Sequence, residues 1–195
     1  MLLDRQTYLV KERVAFVKLT DTYDIFDPAS GQQIGVAKEE PHPLAKYFRL
    51  IISKSLMPTT INVYEQEGAP PVLSIRRGVA LFRPKVHVAV RGQEAGHFQA
   101  KALSLGGAFR IFDRQQNEVA AIKGDWKGWN FTMTSSDGRA LGSVTKKWAG
   151  LGKELFTSAD NYMIDLDPKA AGSKGLAPLL LAAGLAIDTV FKEKQ

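Results

Sequence analysis

Hydrophobic and polar positions alternate along most of this chain, in short runs broken by Asp, Asn or Gly. Tyr23-Asp24-Ile25-Phe26-Asp27 passes through Pro28-Ala29-Ser30-Gly31 into Gln33-Ile34-Gly35-Val36-Ala37. The same unit recurs three times. Val86–Val90 turns at Gly92 towards His97–Ala100; Phe109–Asp113 leads through Gln116-Asn117 to Glu118–Ile122; Asn130–Thr134 turns at Ser136-Asp137-Gly138 into Ala140–Val144. Period-two alternation joined by Asp-Gly or Asn chemistry predicts β-hairpins, because Gly and Asn tolerate the positive φ of tight turns. Further strands are predicted at Thr7–Lys11, Val14–Leu19, Tyr47–Ile52, Thr60–Tyr64, Val72–Arg76 and Tyr162–Leu166. The spacing is too irregular for a solenoid, which keeps a fixed period. A sheet of roughly a dozen strands curls or closes to hide its edges.

The end of the chain changes character. Gly175 to Ile187 is apolar on every face, with Pro178 near its start, Asp188 just after it and lysines in the coda. This composition predicts a helix. A helix apolar all round is buried in protein or in a membrane, and 13 residues fall short of the ~20 that span a bilayer. The expected fold is therefore mainly β: one domain over residues 1–195, a closed antiparallel barrel threaded by its own apolar C-terminal helix.

Length agrees, since 195 residues suit one sizeable core better than two. The absence of cysteine excludes disulfides, thiolate metal sites and thiol catalysis. Met1-Leu2-Leu3-Asp4-Arg5 lacks a basic-then-apolar signal pattern, so a cytoplasmic location is expected. Net charge is +6, and it is concentrated in the middle: Ile75 to Glu154 carries 14 Lys/Arg against 6 Asp/Glu. Such a stretch attracts polyanions, either lipid headgroups or nucleic acid, or it is simply a solvated basic surface.

Two groups of residues point to a family. Tyr8-Leu9-Val10-Lys11-Glu12-Arg13-Val14, Asp24-Ile25-Phe26-Asp27, Gly35-Val36, Lys101 to Asp113 and Ala121-Ile122-Lys123-Gly124 resemble the LURP-one-related family. Ser158 to Asp167 and Leu185 to Phe191 resemble the end of the phospholipid scramblases. Both belong to the tubby C-terminal-like superfamily. The resemblance implies a twelve-stranded barrel around a buried helix. For function it implies binding of phosphoinositides, as in tubby-type members, or Ca²⁺-dependent lipid movement, as in scramblases. The Pro-rich tail and palmitoylated cysteines usual in scramblases have no counterpart here.

Trp126-Lys127-Gly128-Trp129 and Lys146-Lys147-Trp148 set indoles beside lysines. Such pairs suit an interface where the ring sits at headgroup depth and the ammonium meets phosphate. Arg76, Arg77, Arg83, Lys85 and Arg91 can extend that patch, although neighbours on a strand face opposite ways. The alternative is tryptophan in the barrel core with lysines outside. Asp160, Asn161, Asp165 and Asp167 offer oxygen ligands within eight positions, as Ca²⁺ prefers; the matching segment of scramblases is their proposed calcium site. The alternative is a strand end whose carboxylates are solvated or cap the next helix. Asp188, beside the apolar helix, is expected to be paired, to meet water at the barrel mouth or to titrate.

Catalysis finds no motif. His42, His87 and His97 lack metal-ligand spacing, and no nucleophile elbow or phosphate loop occurs. The expected function is a non-catalytic, lipid-interacting domain, cytoplasmic and peripheral at the inner face of the plasma membrane. Its expected partners are anionic phospholipid or phosphoinositide headgroups, with Ca²⁺ as a candidate cofactor. The competing expectation is a soluble scaffold that binds a protein or nucleic acid.

Overall fold

The structure is a computed structural model, and it describes residues 1–13, 20–41, 58–78, 85–100, 108–125, 129–146 and 161–187. Twelve strands carry the described chain: β1 (Thr7–Glu12), β2 (Thr22–Phe26), β3 (Gln33–Pro41), β4 (Thr59–Tyr64), β5 (Leu73–Arg77), β6 (Lys85–Val90), β7 (Gln93–Ala100), β8 (Ala108–Asp113), β9 (Glu118–Asp125), β10 (Asn130–Thr134), β11 (Ala140–Thr145) and β12 (Asn161–Leu166). Each strand pairs antiparallel with its neighbours in sequence, and β1 closes on β12 with Thr7 opposite Asp165 and Lys11 opposite Asn161. The sheet is a closed barrel, as expected. All twelve strands fall on runs identified from alternation; Val14–Leu19 and Tyr47–Ile52 lie outside the described residues.

Alternation decides which side chains go inside. Val10, Ile25, Ile61, Val63, Ile75, Val88, Ile111, Ile122, Phe131, Val144 and Ile164 point inwards and share one core. Arg76, Lys85, Arg110, Lys123 and Thr132 sit between them in sequence and are exposed. That is the reverse of a membrane-spanning barrel, whose outward band is apolar.

Twelve strands enclose more space than wall side chains alone can fill. Helix α2 (Ala177–Ala186) occupies it, and all ten of its residues are buried. It packs against β5, β6, β7, β11, β12 and the N-terminal turn. Gly184 permits a close approach: a Cβ there would lie 2.7 Å from Ile164 Cδ1 on β12. Before it comes one turn not expected from the sequence, α1 (Pro168–Ala171). Asp167 caps it by accepting the Lys169 N–H at 2.9 Å, and Pro168 stands at its first position. Among the described residues no helix is long and apolar enough to cross a membrane.

The barrel has two unlike ends. The turns β2–β3, β4–β5, β6–β7, β8–β9 and β10–β11 share one end with α1 and the start of α2. These turns are built as their sequences suggest. Arg91 and Gly92 take φ +48° and +79°, the paired positive values of a two-residue hairpin turn, and Gly92 adopts its value without a side-chain penalty. Asp27 accepts from the Ala29 N–H at 3.0 Å, and Asp113 from the Asn117 N–H at 2.8 Å. Leu2 is buried at this end too, and the Tyr8 hydroxyl donates to the carbonyls of Leu2 and Arg5 at 3.0 and 2.8 Å. At the other end stand Glu12, Thr22, Pro41, Thr59, Arg77, Lys85, Ala100, Ala108, Asp125, Asn130, Thr145 and Asn161.

Candidate functional site

The described members of the basic, tryptophan-bearing set, Arg91 excepted, stand at that second end. Trp129 immediately precedes β10 with φ +48°, a region bulky residues rarely adopt and which surrounding contacts must hold. Those contacts are visible. The half-buried indole meets Phe131 edge-on at 5.9 Å and Tyr162 at 5.6 Å, both inward-facing residues of the core. Lys146, one residue beyond β11, donates its backbone N–H to the Trp129 carbonyl at 3.2 Å. Its ammonium lies over the indole, 4.2 Å from the ring centroid, within cation–π range. Trp129 is therefore a core residue on one side and a platform for a cation on the other.

Across the barrel, Arg76 and Lys85 point outwards from β5 and β6. These strands lie four to six places from β10 and β11 in a ring of twelve, so the two basic regions stand on opposite sides of one rim. Arg76 and Lys85 are exposed and have no carboxylate partner among the described residues.

Arg77 does not belong with them. It shares the parity of Leu73 and Ile75, points into the barrel and is 3% exposed. Its neighbour in register is Thr59, whose hydroxyl donates to Glu39 at 2.8 Å; both are buried polar residues at the same end. An arginine there serves the interior of the barrel and not its outer surface. Arg91 stands in the β6–β7 turn at the opposite end and cannot extend the patch. Trp126, Lys127, Arg83, Lys147 and Trp148 lie outside the described residues.

The oxygen-ligand set is spread out. Asn161 and Asp165 are four positions apart on β12, roughly 13 Å at the strand rise, which is too far for one ion. Asp167 is engaged in capping α1. Burial pushes the Asp165 carboxyl above its usual range, against the ionised form a hard cation needs. Asp160 and Asp188 lie outside the described residues, among which no three His, Asp or Glu come together.

The two described histidines have structural partners. His87 contacts Glu94 at 3.0 Å, whereas His97 is buried and stacked on Phe112 at 4.8 Å. Burial first, then the nearby Lys85 and His87, hold the His97 imidazole below its ordinary range. His42 lies outside the described residues.

The sequence reading passed over a groove of about 850 Å³ at the hairpin end, lined by residues of the β6–β7, β8–β9 and β10–β11 turns and the segment entering α2. Its residues come from three turns separated in sequence by whole strands. Only the alternation of turns between the two ends of a closed barrel brings them together.

Comparison with known proteins adds a family. The family model described as scramblase matches residues 23–194. The Saccharomyces cerevisiae protein "Altered inheritance rate of mitochondria protein 25" is 18% identical over 197 aligned residues, covering 85% of this chain and 60% of that protein. The chain thus spans about three-fifths of the length of that relative. No solved structure matches.

Proposed function

This chain belongs to the scramblase family, and on that premise we propose that it is a non-catalytic domain docking peripherally on anionic phospholipid. The docking end is the one carrying Trp129, Lys146, Arg76 and Lys85. The observation that carries this reading is the Lys146 ammonium held 4.2 Å over the Trp129 ring. An indole whose inner side is anchored in the core brings a preorganised cation to headgroup depth without ordering a free side chain. Arg76 and Lys85, without a carboxylate partner among the described residues, supply charge on the far side of the same rim, so a flat anionic surface meets both. The twelve-stranded barrel with its internal helix supports the tubby-like classification and, with it, phosphoinositides as candidate headgroups. The polar outer wall supports a peripheral position; docking at the cytoplasmic face of the plasma membrane is part of the proposal.

Co-sedimentation with vesicles tests the reading. Phosphatidylcholine alone is compared with phosphatidylcholine containing phosphatidylserine or a phosphoinositide, at low and high salt. Binding to the anionic vesicles only, weakening as salt rises, is the expected result. No binding at low salt rejects it and leaves a scaffold for a protein or nucleic acid as the better account. The assay is run with and without Ca²⁺, because Asn161, one of the candidate oxygen ligands, begins β12 at the proposed docking end. A calcium requirement would bring that acidic segment into the docking mechanism.

A further inference from the structure

The groove at the hairpin end has a chemistry of its own. Its floor is apolar, built by Leu141, Leu176 and Leu179 with half-buried Val90 and Val119. Its rim carries eight charged side chains, four of each sign. The four acids are engaged. Glu94 meets His87 at 3.0 Å, Glu118 meets Arg110 at 3.5 Å, and Asp137 pairs with Arg139 at 2.8 Å. Asp113 accepts two bonds from Asn117, at 2.8 and 3.1 Å. Among the described residues only Arg139 of these bases has a carboxylate partner. The Arg91 side chain contacts Met1 Sδ at 4.0 Å, and Arg91, Arg114 and Lys174 have no carboxylate partner among the described residues. Three cations without such a partner therefore overhang an apolar floor. Helix α2 also begins at this groove, with no side-chain cap, so its positive end adds to the same potential.

We propose that this groove is a binding site for a single-chain amphiphile with an anionic head. The volume lies within the 300–1,000 Å³ of small-molecule pockets, which are mostly apolar with a few polar groups fixing orientation. The chain of the ligand covers Leu141, Leu176 and Leu179, and each methylene removed from water is worth about fourfold in affinity. The head is held at the rim by Arg91, Arg114 and Lys174, which three different parts of the chain supply. A cationic head would meet three like charges, while the rim carboxylates are already hydrogen-bonded to His87, Asn117, Arg110 and Arg139. The site lies at the opposite end of the barrel from the docking rim and does not depend on it.

The test is an amide-resolved NMR titration of the whole chain with decyl phosphate, decanoate and decyltrimethylammonium, all below their micelle concentrations. Saturable shifts at Val119, Leu176 and Leu179 with one or both anions, and none with the cation, are expected. Preference for decyl phosphate assigns a phosphate-headed lipid, and preference for decanoate a free fatty acid. The triple variant Arg91→Gln, Arg114→Gln, Lys174→Gln replaces exposed side chains only, so it should keep its melting temperature while binding the anion at least tenfold more weakly. Its vesicle co-sedimentation should be unchanged, which separates this site from the docking rim. Absence of saturable shifts at the groove overturns the proposal. So does equal binding by the cationic probe, or undiminished binding by the triple variant.

Discussion

Ile164 of β12 occupies the space that a side chain on Gly184 would need, its Cδ1 lying 2.7 Å from where a Cβ would stand. Helix and wall are in contact at van der Waals range, and this packing locks α2 to one register inside the barrel. Gly184→Leu should destabilise the protein by about 1–3 kcal/mol through overpacking. Ile164→Ala in the same molecule should recover part of that loss although it is destabilising alone. A double-mutant cycle from urea midpoints checks this; purely additive effects would place Gly184 away from Ile164.

The helix should also behave as core. Leu181→Ala and Leu185→Ala each remove a fully buried side chain and should cost about 2–5 kcal/mol, the usual range for such cavities. Chemical denaturation measures it. Two variants as stable as the parent would mean the helix does not fill the barrel.

Lys146→Gln removes the ammonium above Trp129 and leaves the indole packed on Phe131 and Tyr162. Affinity for anionic vesicles should fall about fivefold, the worth of one basic side chain near a charged surface. Thermal stability should hardly move, since Lys146 is half-exposed. Arg76→Gln and Lys85→Gln should each act alike, whereas Arg77→Gln should lower stability instead because Arg77 is buried.

Asp165 gives a pH signature. Burial raises its carboxyl pKa in the folded chain, so the native state holds this proton to higher pH than the unfolded one. Its contribution therefore turns unfavourable as pH rises from the ordinary carboxylate value of ~3.9 through the raised one. Asp165→Asn should raise the melting temperature at pH 7, and the gain should vanish near pH 3, where both states are protonated. A lower melting temperature at pH 7 would show a favourable partner for the carboxylate.

The barrel was legible because its wall obeys a period of two with few exceptions. Runs such as Thr60–Tyr64 and Asn130–Thr134 declare their inward residues directly, and a helix apolar on every side had to go inside. Arg77 was legible in the same way, since it continues the parity of Leu73 and Ile75, but its neighbour Arg76 made the pair look like one basic patch. The turn α1 carries an ordinary start signal, Asp167 followed by Pro168, and of the two readings of Asp167, ion ligand or helix cap, the structure has the cap. Its four residues are too few for any periodicity to show. The pairing of Lys146 with Trp129 and the convergence of Arg91, Arg114 and Lys174 are of another kind. They depend on which strand ends face one another across a closed ring, which no local pattern encodes.

The seam between β1 and β12 sets the order of biogenesis. Thr7 cannot meet Asp165 until 158 further residues have been made, on the order of ten seconds or more at ordinary rates of synthesis. Until then the nascent sheet carries two open edges, and the helix that fills it emerges later still. A ribosome stalled before residue 161 would hold a wall without its closing stave or its filling. Chaperone demand should accordingly peak just before β12 and α2 emerge, and nonsense alleles that remove β12 should be as damaging as ones near Thr7.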